Sequence, residues 1–189
     1  GNQPSTLTAD PGSGDSVACT RQKAVGAGRP GLPASRLTGA PPVSEVAAST
    51  SDRPSDEPAQ AEMARRWQAI VAQGYPYLVA EAGGAFAGYA YASGYRTREG
   101  YRWTVEDTVY VHPDHTGRGV GRALLQRLVG DCTPLGLRQM IAVVGDVTNV
   151  ASIALHERLG FRTVGVFQGL GRKHGRWLDT VQMQLALGP

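Results

Sequence analysis

Tyr110-Val111-His112-Pro113-Asp114-His115-Thr116-Gly117-Arg118-Gly119-Val120-Gly121-Arg122 carries three glycines at alternate positions. Glycine lets a backbone come close to a ligand. A helix that starts just after such a loop offers unpaired N–H groups and the positive end of its dipole. Together these suit a pyrophosphate. Arg118 and Arg122 could add charge-assisted bonds. The spacing is not a Walker A loop, because no Gly-Lys-Ser/Thr follows. It is not the dinucleotide Gly-x-Gly-x-x-Gly either, and no early strand precedes it. Taken alone, the loop also reads as a plain flexible turn.

Upstream, Glu106 stands in a β-rich stretch that leads into the loop. A carboxylate half-buried on a strand has a raised pKa and can accept a proton, directly or through water. The bland alternative is an exposed strand residue. Arg96, Arg98, Lys173 and His174 fall in loops and could hold an anionic group, or be ordinary solvated charge. Asn149 could bond a ligand or cap the helix that follows, and Ser152 competes as that cap. His112 and His115 are loop residues that make no metal spacing with an acid or a cysteine.

The elements that must position these residues follow from periodicity. The pattern predicts a helix over Ala61–Gln73, with Met63, Trp67 and Ile70 on one face. Tyr77–Glu81 and Phe86–Ser93 read as strands joined by a turn at Gly83-Gly84. Arg96–Tyr101 reads as a polar loop and Trp103–Val111 as a third strand. Arg122–Gly130 follows as a helix with Leu124, Leu125 and Leu128 inward. Met140–Val144 is a strand, and Ala151–Leu159 a helix closed by Gly160. Thr163–Phe167 and Leu178–Leu187 are the last strands. The layout is mixed α/β, with one strand–helix–strand crossover in the middle.

The first 56 residues are unlike the rest. Every aromatic residue lies from Trp67 onward, and eight of the twelve prolines fall in residues 1–60. Such a stretch buries little and reads as irregular or low-complexity. The ordered domain is expected over 57–189. Net charge is +3 with a pI near 9.1, and no block of like charge occurs. That excludes an obvious nucleic-acid surface and leaves room for a basic cofactor site. No apolar run is long enough to cross a membrane, and the N-terminus lacks a signal-peptide core. Cys19 and Cys132 have no metal or pairing signature, so two free thiols in a reducing cytoplasm are expected.

Two motifs in order resemble a family. Val109-Tyr110-Val111-His112-Pro113, Thr116-Gly117-Arg118-Gly119-Val120-Gly121 and Leu124-Leu125 look like the acetyl-CoA motif of the GNAT acetyltransferases. Thr116 departs from the Gln/Arg usual at that motif's first position. Asn149 to Phe161 resembles the Asn-x-x-Ala-x-x-x-Tyr-x-x-x-Gly-Phe run of the same family. Trp103 to Val111, Leu155 to Phe161 and Gly171 to Asp179 are most similar to the phosphinothricin and methionine sulfone/sulfoximine acetyltransferases. The likeness runs from about Glu57 to Leu187. It implies a GNAT-like mixed, mostly antiparallel sheet with flanking helices. It also implies acetyl-CoA as cosubstrate, no metal, and N-acetylation of a small amino acid analogue.

The resemblance assigns roles residue by residue. Glu106 becomes the base that frees the acceptor amine. His156 stands where most members have the tyrosine that protonates the departing thiolate; an imidazole can serve near neutral pH, and the phosphinothricin-type members have His here too. A packed helix histidine is the alternative. Val109, Tyr110 and Val111 would offer backbone groups to the thioester oxygen and the pantetheine arm. Gly117, Arg118, Gly119, Val120, Gly121 and Arg122 would hold the pyrophosphate. Asn149 would reach the pantetheine. Arg96, Arg98, Lys173 and His174 would hold the acceptor. The partner is then a small-molecule amine, with no nucleic acid or membrane, and a homodimer is compatible.

The opening strand usual in this family is not found in residues 1–55. The segment reads as a disordered extension or as a frame-shifted stretch of GC-rich coding sequence ending near Asp56. A non-catalytic CoA-binding or interaction protein with an incomplete acceptor site is therefore the alternative function. A protein or peptide N-acetyltransferase is a third, against which the subgroup motifs speak.

Overall fold

The computed structural model describes residues 6–7, 17–22, 60–173 and 175–188. Along the chain stand β1 (Thr6–Leu7), β2 (Val17–Arg21), α1 (Gln60–Ala72), β3 (Tyr77–Ala82), β4 (Ala85–Gly94) and β5 (Thr104–Val111). They are followed by α2 (Val120–Cys132), β6 (Gln139–Val144), α3 (Val150–Arg158), β7 (Arg162–Lys173) and β8 (Arg176–Ala186). The strands make one sheet in the order β1-β2-β3-β4-β5-β6-β8-β7. Only the β5–β6 pair is parallel, as the α2 crossover between those strands requires. The mixed, mostly antiparallel sheet with flanking helices is as the sequence implies.

Strand alternation splits the side chains between two faces. One face carries Val17, Cys19, Leu78, Ala80, Ala90, Val105, Met140, Ala142 and Met183. Against it pack Val120, Ala123, Leu124, Leu125, Leu128 and Cys132 of α2, which recur at helical spacing. Ile153, Leu155 and Leu159 of α3 lie on the same side. The other face is aromatic: Tyr77, Tyr89 and Tyr110 lie under Trp67 and Ile70 of α1. Tyr77, Tyr89 and Tyr91 stack nearly parallel, and Tyr89 also stacks on Tyr110.

Two expectations need correction. The sequence places Val17–Arg21 in an irregular segment without an opening strand, yet these residues pair antiparallel with β3 along their whole length. Val17 and Cys19 are buried in the core, and Arg21 lies 4.0 Å from Asp131, itself held by Arg127 at 2.8 Å. Five residues give too little alternation to stand out, and the partners that define the strand lie about sixty residues away. The remainder of the irregular-segment reading lies outside the described residues. The second correction is β7, which runs past Phe167 to Lys173. Its register with β8 shifts between Phe167 and Gly171. There the Gly169 N–H donates to Asp179 Oδ1 at 2.8 Å, closing a bulge that reads as loop in sequence.

Candidate active site and cofactor cleft

The parallel pairing of β5 with β6 covers only Thr104↔Gln139, Val105↔Met140 and Glu106↔Ile141. Beyond Glu106 the strands part: β5 continues beside β4 and β6 beside β8. The edge of β5 from Asp107 to Val111 thus faces a gap in the sheet. The His112 N–H donates to Ala87 O on the β4 side at 2.9 Å. By alternation, Val109 and Val111 direct their N–H and C=O groups the other way, into the gap. Their side chains pack on the core, which leaves only their backbone groups to the gap.

The glycine loop closes one end of this gap. Gly117 and Gly119 take positive φ of 73° and 81°, which favours glycine. Helix α2 begins at Val120, two residues earlier than its leucine pattern indicates, with Gly119 as N-cap. No side chain caps it and no acid sits in its first turn, so its N–H groups and dipole are unopposed. The third glycine has a different job. A Cβ on Gly121 would come within 3.2 Å of Leu155 and 3.3 Å of Val111, so it lets α2 pack against α3 and β5. Val120 is buried, while Arg118 and Arg122 are exposed and form no ion pair with another described residue. Backbone N–H groups along the gap and an uncapped helix start fit an extended, amide-bearing chain that ends in phosphates.

Glu106 is half-buried on the aromatic face, opposite Ser93 of β4. Burial pushes its carboxyl above the usual range, the neighbouring Asp107 adds to this, and Arg96 opposes it. The structure therefore brings Arg96 within electrostatic reach of the candidate base. Arg96 itself lies over the Tyr95 ring at 4.8 Å. Arg98 is exposed at the start of a short 3-10 turn and makes no side-chain capping bond.

His156 lies on the other side of the sheet. Odd positions of β5 face α2 and α3, and even positions face α1. Glu106 and the α3 histidine are thus separated by the thickness of the sheet. His156 is 4% exposed, with Nδ1 2.7 Å from Ser152 O and Nε2 3.1 Å from Asp107 Oδ2. Burial favours the neutral ring, but the hydrogen bond and charge of Asp107, with the Ser152 carbonyl, outweigh it and raise the pKa. Gly160 at φ 90° ends the helix: its N–H donates to Glu157 O, and the Phe161 N–H to His156 O. This cap sets the Phe161 ring edge-on to the imidazole at 5.0 Å. Sequence reasoning missed Asp107. Counting alternation from Val105 would have turned it toward the helices, where an acid needs a partner.

Asn149 settles as the N-cap of α3, its Oδ1 accepting from the Ser152 N–H at 3.2 Å, which leaves its NH2 group for a ligand. Ser152 supplies the donor and is not itself the cap. Lys173 lines a concavity of about 360 Å³ with Gly145, Asp146, Asn149, Arg176 and Leu178, at the end of β6 beyond the gap. Asp146 is held below the usual carboxylate range by the N–H and hydroxyl of Thr148, with a smaller contribution from Arg176. His174 lies outside the described residues.

A model of the acetyltransferase (GNAT) family matches residues 44–161, starting upstream of the expected boundary at 57. The phosphinothricin N-acetyltransferase of Alcaligenes faecalis is 50% identical over 130 residues, 69% of this chain and 66% of that protein. The L-methionine sulfoximine/L-methionine sulfone acetyltransferase of Salmonella typhimurium is 46% identical over 114 residues, 60% of this chain and 66% of that protein. The chain spans just under two thirds of the length of these two relatives. A GNAT-superfamily phosphinothricin acetyltransferase from Sinorhizobium meliloti, solved in complex with acetyl-CoA, shares the fold with a TM-score of 0.67 at 54% identity. That match covers 70% of this chain and 71% of that one. Family match, relatives and shared fold agree with the motifs around Gly117 and Asn149: the chain belongs to the acetyltransferase (GNAT) family.

Proposed function

We propose that this chain is an acetyl-CoA-dependent N-acetyltransferase acting on the α-amino group of a small amino acid analogue of the phosphinothricin or methionine sulfoximine kind. The observation that carries the reading is the parting of β5 from β6 just beyond Glu106. It leaves the Val109 and Val111 backbone groups facing a gap that leads to the uncapped start of α2. Acetyl-CoA, when bound, supplies the acyl group as a thioester. The Gly117–Arg122 backbone, with the Arg118 and Arg122 side chains, binds the phosphates. The Val109 and Val111 N–H groups bind carbonyl oxygens along the gap, and the Asn149 NH2 reaches the same channel.

Glu106 accepts a proton from the acceptor ammonium at its carboxylate, a task that its raised pKa favours. Arg96 and Arg98 from one loop, and Lys173 at the end of β7 with the next residue, His174, orient the acceptor's anionic groups. His156 holds the proton that the departing sulfur requires. The test is thiol release from acetyl-CoA with a panel of amines. Methionine sulfoximine or phosphinothricin should react well and plain amines poorly. Efficient turnover of polyamines or aminoglycosides instead would overturn the substrate class and leave the transferase standing. Acetyl-CoA binding without turnover of any amine would favour the non-catalytic reading.

The same proposal extends to assembly and place. Strand β7 is a sheet edge, and Val164, Val166, Phe167, Leu170 and Trp177 of the β7–β8 hairpin are exposed. A second copy of the chain packed along this hairpin would cover apolar side chains on both of its faces, and light scattering would read a dimer. Cys19 and Cys132 are both free and buried, in keeping with a reducing cytoplasm. Among the described residues no helix is long and apolar enough to cross a membrane.

A further inference from the structure

The sealed side of β5 holds a carboxylate that none of the roles above uses. Asp107 Oδ2 lies 3.1 Å from His156 Nε2, with side chains 2% and 6% exposed. Asp107 Oδ1 is buried with no hydrogen-bond partner among the described residues. The imidazole is therefore the carboxylate's one hydrogen-bonded compensation there. On the far side of the ring, Nδ1 is 2.7 Å from the Ser152 carbonyl oxygen, which can only accept. Nδ1 must then carry a hydrogen. For Asp107 Oδ2 to accept from the ring, Nε2 must carry one as well.

The other titratable groups near this pair do not compete for the ring. Glu106, next along β5, is on the opposite face. The Cys132 thiol of α2 is pushed up to about 12, by burial first, then by Asp131 and Asp107 against Arg21. Asp131 is bonded to Arg127. Glu157 and Arg158 of α3 are exposed. Phe161 presents only a ring edge.

We infer that Asp107 is a positioning residue for His156: it holds Nε2 while the Ser152 carbonyl holds Nδ1, which fixes the ring plane and favours return of the ring to its doubly protonated form between turnovers. The inference rests on the reading of His156 as a proton source. The raised pKa of His156 agrees with it, since Asp107 is the leading cause that opposes burial. A histidine held only by packing would be neutral and would have no use for two acceptors.

The test is ring NMR on the histidine-labelled full chain without ligand, the His156 signals being assigned with His156→Gln. In the wild type, His156 should titrate above its ordinary value of 6.5 and show two ring N–H signals. Asp107→Asn keeps the volume and removes the charge. It should lower the midpoint by about 1–3 units and carry the basic limb of the kcat profile down with it. Asp107→Glu should restore part of the shift. An unmoved midpoint in Asp107→Asn overturns the inference. So does a wild-type midpoint at or below 6.5, a reading that needs no variant to fold. A midpoint that drops while the kcat profile stays put upholds the hold of Asp107 on the ring and overturns His156 as the proton source.

Discussion

Glu106 and Asp107 are neighbours in sequence and opposites in surroundings. Glu106 looks onto the aromatic face, half-buried, with Arg96 near. Asp107 is sealed beneath α2 and α3 and bonded to His156. One residue of strand period turns one carboxylate toward the aromatic face and the other toward α2 and α3. The difference shows how a single strand at a break in a sheet gives two adjacent carboxylates opposite surroundings. One stays half-buried with a cation near, and the other is sealed against a histidine. Removing the first should cost rate and little stability; removing the second should cost both.

The sharpest break of this contrast is Glu106→Gln. We expect kcat to fall about 10²–10⁴-fold, with acetyl-CoA affinity by calorimetry and the melting temperature close to wild type. His156→Ala should behave otherwise. It leaves the Asp107 carboxylate buried without a partner, and breaking such a pair costs about 3–5 kcal/mol. Denaturant unfolding should show this loss, and adding Asp107→Asn should recover part of it. Equal stability in the single and double variants would show that the two sides of β5 do not differ in this way.

Gly88→Ala should disturb both sides at once. A Cβ there would lie 2.4 Å from the Tyr110 carbonyl oxygen and 3.2 Å from Leu124. Strand β4 must then move from β5, at about 1–3 kcal/mol, read as a lowered denaturation midpoint. The mildest test concerns Arg96. Its charge lowers the Glu106 pKa, so Arg96→Ala should shift the acid limb of the rate profile to higher pH. It should also raise the acceptor KM more than it lowers kcat. An acid limb that stays in place would separate Arg96 from the base.

Local pattern made much of this legible. The leucines of α2, the Gly160 cap of α3 and the hairpin at Gly83-Gly84 each announce themselves within a few residues. So does the loop with its positive-φ Gly117 and Gly119. What stayed hidden depends on distance along the chain. Asp107 and His156 are 49 positions apart, and only the fold sets them side by side. Strand β2 has a partner but almost no pattern of its own. In β7, glycines that read as a stop are a bulge, because Asp179 of the next strand accepts the Gly169 N–H. Asn149 shows a third kind of limit: its type fitted ligand and cap equally, and the observed bond to the Ser152 N–H establishes the cap through Oδ1 alone.

Strand β2 also decides how the chain can be trimmed. Its composition invites an expression boundary near residue 57. Deleting everything before that point would strip the partner from β3 and leave the backbone groups of Tyr77–Ala82 lined up along a bare edge. Leu78 and Ala80, now fully covered, would lose Val17 and Cys19 from their side of the core. Such an edge is a template for recruiting other copies, strand to strand. We expect a shortened chain of this kind to collect in inclusion bodies, a failure of colloidal behaviour and not of chemistry.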